Sequence, residues 1–71
     1  MSESVYKVVE LVGTSNNSWE DAARTAVERA GASLKDLRIA EVDTLDMKLE
    51  GGAVVAFRTR LRVSFKYNPS S

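Results

Sequence analysis

Three acids, Glu41, Asp43 and Asp46, lie within one six-residue window, and three arginines, Arg58, Arg60 and Arg62, recur at every second position further along. Carboxylates are the donors that hard divalent cations take, and calcium gathers about six to eight oxygens. One short segment offers too few, so a calcium site built on it needs copies of the chain converging about a twofold or threefold axis. Two-residue spacing sets the three guanidinium groups on one face of a strand, where they can grip a nucleotide phosphate, line a pore or fork onto carboxylates. A plainer reading stands beside the ligand-binding one: a salt-bridged surface in which Arg60 neutralises Asp43 and Arg62 neutralises Glu41, within a protomer or across a contact. Arg58, opposite Leu45 in an unbroken hairpin ladder, is then the freer cation.

Other chemistry has little to work with. The chain has no Cys and no His, which removes disulfides, zinc fingers, haem ligation and any nucleophile activated by imidazole. Paired carboxylates acting as acid and base need a pKa raised by burial, and the neighbouring arginines oppose that. We therefore expect no enzyme. The short stretch from Gly13 to Ser18 could cradle a phosphate on its N–H groups, but it matches no full phosphate-loop pattern and reads as a capped strand-to-helix turn. Trp19 reads as a core or interface anchor.

The frame for these residues is small. Seventy-one residues, 44% of them hydrophobic, make one domain over 1–71, with frayed termini expected at 1–4 and 68–71. A single core at this length rarely supplies more than about 3–5 kcal/mol, and with no disulfide on offer the remaining support is association with further copies. Ten Lys and Arg balance ten Asp and Glu, so no overall field draws the chain to nucleic acid or to an anionic membrane. No apolar run approaches the roughly 20 residues that span a bilayer, and the acidic start Met1-Ser2-Glu3-Ser4 lacks a signal peptide's features. The expectation is a soluble cytoplasmic protein.

Residues 5–12, VYKVVELV, read as a strand with apolar side chains on both faces, ended by Gly13. Ser18 reads as the N-cap of a helix, with Asp21 at the capping-box position and Glu20 and Asp21 at the positive end of the dipole. Trp19, Ala22, Ala23, Ala26, Val27 and Ala30 form its apolar stripe. So many alanines mean that another element approaches closely. Glu20–Arg24 and Arg24–Glu28 are four-residue pairs on the solvated side, and Gly31 reads as the stop. Strands follow over Asp36–Glu50 and Ala53–Tyr67, joined by Gly51-Gly52, a two-residue hairpin signal.

Counting back from that turn sets Val42 opposite Leu61, Ala40 opposite Val63 and Thr44 opposite Thr59 on one face. Glu41 meets Arg62 and Asp43 meets Arg60 on the other, so like meets like and charge meets opposite charge. Nearer the turn Leu45, Met47 and Leu49 fall on the acidic side, which predicts a bulge between Val42 and Leu45. If the sheet is wholly antiparallel, the last strand lies between the other two.

The opening Val5-Tyr6-Lys7-Val8-Val9-Glu10-Leu11-Val12-Gly13-Thr14-Ser15, the capped start Ser18-Trp19-Glu20-Asp21-Ala22-Ala23, then Ala40-Glu41-Val42 and Leu61-Arg62-Val63-Ser64-Phe65 resemble the dodecin family over roughly residues 5–66. The resemblance implies an α+β fold: a β-α-β-β protomer whose three-stranded antiparallel sheet wraps one helix, assembled as a hollow homododecamer. Flavin-binding dodecins store or buffer flavin, stacking isoalloxazine rings in pairs at subunit interfaces. They carry Trp immediately before the segment matching Ala40-Glu41-Val42, where this chain has Ile39. They carry Gln after an aromatic in the last strand, where this chain has Arg58 after Phe57. Ile gives no ring stacking, worth about 0.5–1.5 kcal/mol beyond area burial, and Arg has donors only and cannot accept from a flavin N–H. With Ser18-Trp19-Glu20 and Asp46-Met47, the pattern is similar to the actinobacterial calcium dodecin branch.

The reading is thus a non-enzymatic storage or binding assembly for a small ligand or divalent cation. Calcium comes first, with Glu41, Asp43 and Asp46 as its contacts. One alternative is a flavin-storage dodecin with a remodelled pocket, Ile39 packing on the ring and Arg58 meeting a phosphate or carbonyl. Another is an oligomeric module with no specific ligand.

Overall fold

A computed structural model describes residues 4–67, so the expectation of frayed ends falls, apart from Ser4, outside them. The elements run β1 (Tyr6–Ser15), α1 (Trp19–Ser33), β2 (Leu37–Glu50) and β3 (Ala53–Lys66). The sheet is antiparallel in the order β1-β3-β2, as expected of a β-α-β-β protomer. Its central strand supplies the core: Leu61, Val63 and Thr59 are fully buried on the face turned to α1, against Ala22. Among the described residues no helix is long and apolar enough to cross a membrane.

Several boundaries differ from the sequence reading, each for a local reason. Gly13 does not end β1, which continues to Ser15. A Cβ there would overlap the Ala22 carbonyl oxygen and sit 3.0 Å from Ala26 Cβ. Glycine is required for close approach to the alanine stripe rather than for a turn. Gly31 likewise does not stop α1: the helix runs on to Ser33, and the Leu34 N–H donates to the Ala30 carbonyl at 2.8 Å. The left-handed residue is instead Asp36, at φ 61°, so β2 starts one residue later than expected. β3 stops at Lys66, and the Tyr67 N–H donates to the Val5 carbonyl at 2.8 Å.

The N-cap forms as read. Ser18 is extended and its Oγ accepts from the Asp21 N–H at 3.0 Å. The Asp21 carboxylate accepts from Ser15 Oγ at 2.7 Å, which ties the end of β1 to the first helical turn. Arg24 reaches Asp21, three residues away, at 3.9 Å.

Gly51 and Gly52 both have positive φ, as a two-residue turn of type I′ requires. The ladder keeps the expected pairs at Ala40↔Val63, Glu41↔Arg62 and Val42↔Leu61, then shifts between Val42 and Thr44. The bulge is therefore where it was predicted, but it changes the partners beyond it. Thr44 faces Arg60, Leu45 faces Thr59 and Asp46 faces Arg58, in place of Thr44–Thr59, Asp43–Arg60 and Leu45–Arg58. A compensating shift between Lys48 and Leu49 restores the register at the turn.

Fourteen-residue strands at ~3.3 Å per residue reach about 46 Å, whereas a fifteen-residue helix reaches about 22 Å. The hairpin therefore overhangs α1 by roughly half its length. The chain measures 55 × 20 × 15 Å with a radius of gyration of 14.7 Å, against about 11 Å for a compact chain of this size. Val5, Val8, Ile39, Val42, Leu45 and Leu49 are each more than half exposed. Apolar side chains on both faces of β1 imply cover on two sides, and the chain itself does not supply the second.

Candidate functional site

Alternation along β3 turns Thr59, Leu61 and Val63 to the helix and Arg58, Arg60 and Arg62 to the opposite, open face. The flanking strands bring carboxylates to that row. Glu10 enters from β1, within the stretch paired with Arg62 and Arg60; Glu41, Asp43 and Asp46 enter from β2.

Arg58 is not the freer cation. Its Nε donates to Asp46 Oδ1 at 2.7 Å and its Nη2 to Asp46 Oδ2 at 2.9 Å, a fork that fixes both planes. The hydrogen bonds from Arg58 hold the Asp46 carboxyl below its ordinary range, helped by the charges of Arg58 and Arg60 and opposed by partial desolvation. The same bonds raise the Arg58 guanidinium above its ordinary value.

The other arginines also take partners the straight ladder did not assign. Arg62 Nη2 lies 3.2 Å from Asp43 Oδ1, because the bulge swings Asp43 toward the arginine on its far side. Arg60 Nη1 lies 3.5 Å from Glu10 Oε1. Glu41 stands opposite Arg62 in the ladder. Among the described residues no three acids gather closely enough to hold a metal ion. Glu41, Asp43 and Asp46 share the open face without converging within one chain.

Nor does one chain bring Ile39 and Arg58 together. Ile39 pairs with Ser64 and Arg58 with Asp46. Six residues of β3 separate the two positions, about 20 Å at ~3.3 Å per residue. Ile39 is 67% exposed and its carbonyl accepts from Ser64 Oγ at 3.4 Å. A hollow of about 400 Å³ between β1 and α1 is lined by Leu11, Gly13, Thr25, Ala26 and Arg29 among others and by none of the candidate residues.

Beyond the Arg58–Asp46 and Arg62–Asp43 pairs, the contacts that escaped the sequence reading include two more. Glu10 as partner of Arg60 was within reach of it, because pairing β1 with β3 sets the acid beside the arginine row. The second is the Trp19 indole, whose Nε1–H donates to the Asp46 carbonyl at 2.9 Å; no pattern in the sequence marks it.

The arrangement is an open surface of paired charges on a long sheet, carried by a chain that covers little of its own apolar side. Known proteins share the fold. The dodecin family profile matches residues 5–68. The calcium dodecin of Mycobacterium tuberculosis is 46% identical over 67 residues, 94% of each chain. Its crystal structure, described as a calcium-chelating antigen with a novel calcium-binding site, superposes with a TM-score of 0.82 over 94% of this chain and 96% of that one. The Streptomyces coelicolor dodecin is 36% identical, with a TM-score of 0.91 over 99% of this chain and all of the other. The Streptomyces davaonensis dodecin is 28% identical, with a TM-score of 0.88 over 94% and 98%. Strand order, helix start and the match along almost the whole sequence agree: this chain belongs to the dodecin family.

Proposed function

We propose that the chain assembles as a hollow homododecamer that sequesters a divalent cation or small ligand where its copies meet, with calcium as the first candidate and no catalytic step. The observation that carries this reading is the Arg58–Asp46 fork. It fills the position of the flavin-binding amide with a cation that is already doubly hydrogen-bonded, while Ile39 stands at the position of the stacking ring. The family's flavin chemistry is thereby disfavoured, and the remaining donors on that face are carboxylates.

Those donors suit calcium in type but not, within one chain, in number. Glu41, Asp43 and Asp46 are exposed, so symmetry-related copies can approach them. Calcium binding of a relative that is 46% identical supports the same class of ligand. The exposed apolar residues of both strand faces support assembly, since a closed symmetric oligomer covers them without leaving sheet edges open.

The test is a native mass measurement of the purified particle with and without a chelator, paired with melting curves in calcium and in magnesium. A particle of about twelve times the 7.8 kDa chain, losing calcium mass on chelation and melting higher in calcium but not magnesium, is the expected result. Glu41→Gln reduces that upward shift. Quenching of riboflavin or FMN fluorescence by the metal-free particle would instead favour the flavin-storage reading, and neither effect would leave an oligomeric module without a specific ligand.

A further inference from the structure

The Trp19 side chain and backbone touch three successive rungs of the β2–β3 ladder. Its backbone carbonyl accepts from the buried Thr59 Oγ1 at 2.8 Å, and Thr59 pairs with Leu45. Its indole Nε1–H donates to the Asp46 carbonyl at 2.9 Å, and Asp46 pairs with Arg58. Its ring meets Phe57 edge to face, with centroids 5.1 Å apart and planes at 70°, and Phe57 pairs with Met47. These are rungs of the shifted register, the stretch between the two irregularities.

We infer that Trp19 is a positioning residue for the Arg58–Asp46 pair: from the helix side it clamps the shifted register and so decides which residue Arg58 meets on the open face. The alternative register is near at hand. An unbroken ladder from Gly51-Gly52 sets Arg58 opposite Leu45, and a slip of one residue turns a strand's side chains to the other face. Phe57 belongs to β3 and Asp46 to β2, so the Trp19 side chain alone binds both strands and resists their relative sliding. β2 is an edge strand, which leaves its backbone open to the indole.

The inference rests on the proposed function only for its consequence, that Trp19 controls the pair standing at the ligand-determining position. Its test needs no ligand. Trp19→Phe keeps a ring against Phe57 and removes the N–H. Replacement of Trp19 by 3-benzothienylalanine removes the N–H at nearly constant shape, and serves where the phenylalanine variant fails to assemble. With arginine-labelled protein, the Arg58 Nε–H is expected to exchange with solvent roughly three- to tenfold faster in either variant, the factor carried by loss of one neutral hydrogen bond. Crystals of the variant particle are expected to show the Asp46–Arg58 fork opened or Arg58 displaced toward Leu45. A folded variant in which Arg58 exchange and the fork are both unchanged overturns the assignment and reduces Trp19 to a packing anchor. Because calcium and flavin appear in neither readout, failure here is separable from failure of the proposed function.

Discussion

Asp46 shows how one residue's role depends on a rung of the ladder. The acid was legible in the sequence as part of a cluster, but its partner was not: a bulge between Val42 and Leu45 could be predicted, whereas the second shift, between Lys48 and Leu49, which moves Arg58 from Leu45 to Asp46, could not. The observed register produces a forked pair whose hydrogen bonds depress the Asp46 pKa. The pH consequence has a definite sign. A carboxyl with a lower pKa in the folded than in the unfolded chain contributes stability that is complete above its unfolded value, about 3.9. That contribution is lost as pH falls through the folded value. Melting temperatures measured from pH 6 down to about pH 2 are therefore expected to fall less steeply for Asp46→Asn than for the parent protein, with the difference confined to the region below about pH 4. Equal slopes in the two proteins would mean that the fork is not kept in solution.

At the level of elements, the order of strands and helix, the serine cap and the glycine turn could all be read from the sequence, because each rests on neighbouring residues. The two glycines that were misassigned depend on distant ones. Gly13 and Gly31 look alike as breaks in apolar runs, yet only the packing of β1 on α1 reveals that Gly13 makes room for the Ala22 backbone, and that the left-handed turn after the helix falls to Asp36. The distinction is testable. An added methyl at position 13 meets backbone, which cannot rotate away, so Gly13→Ala is expected to lose at least the ~1–3 kcal/mol typical of overpacking. At Gly31 the nearest neighbour of an added methyl is the Leu37 Cδ1 at 3.5 Å, an ordinary contact, and alanine is favoured over glycine inside a helix by ~1 kcal/mol. Gly31→Ala is accordingly neutral or stabilising. Denaturant titrations of the two variants at equal protein concentration check both signs.

The protomer as a whole is a long sheet with a short helix, and that shape argues for its assembly more directly than composition does. Chain length alone raises the expectation of association; it could not say where, because the overhang of the hairpin past α1 depends on strand and helix lengths together. Leu49, near the turn, is 60% exposed, and the geometry places it beyond any cover α1 can give. On an isolated protomer a charged residue there changes stability by no more than ~0.5 kcal/mol, as at most exposed positions. Buried between copies, a lysine ammonium loses its hydration without a partner and the contact fails. Leu49→Lys thus separates the two states of the molecule. Native mass spectrometry is expected to find the large particle replaced by smaller species, with a melting temperature that now rises with protein concentration, as mass action requires of a weakened oligomer. An intact particle with an unchanged melting temperature would show that the hairpin arm remains in solvent, and the joins between copies would then have to lie on β1 and the exposed face around Ile39.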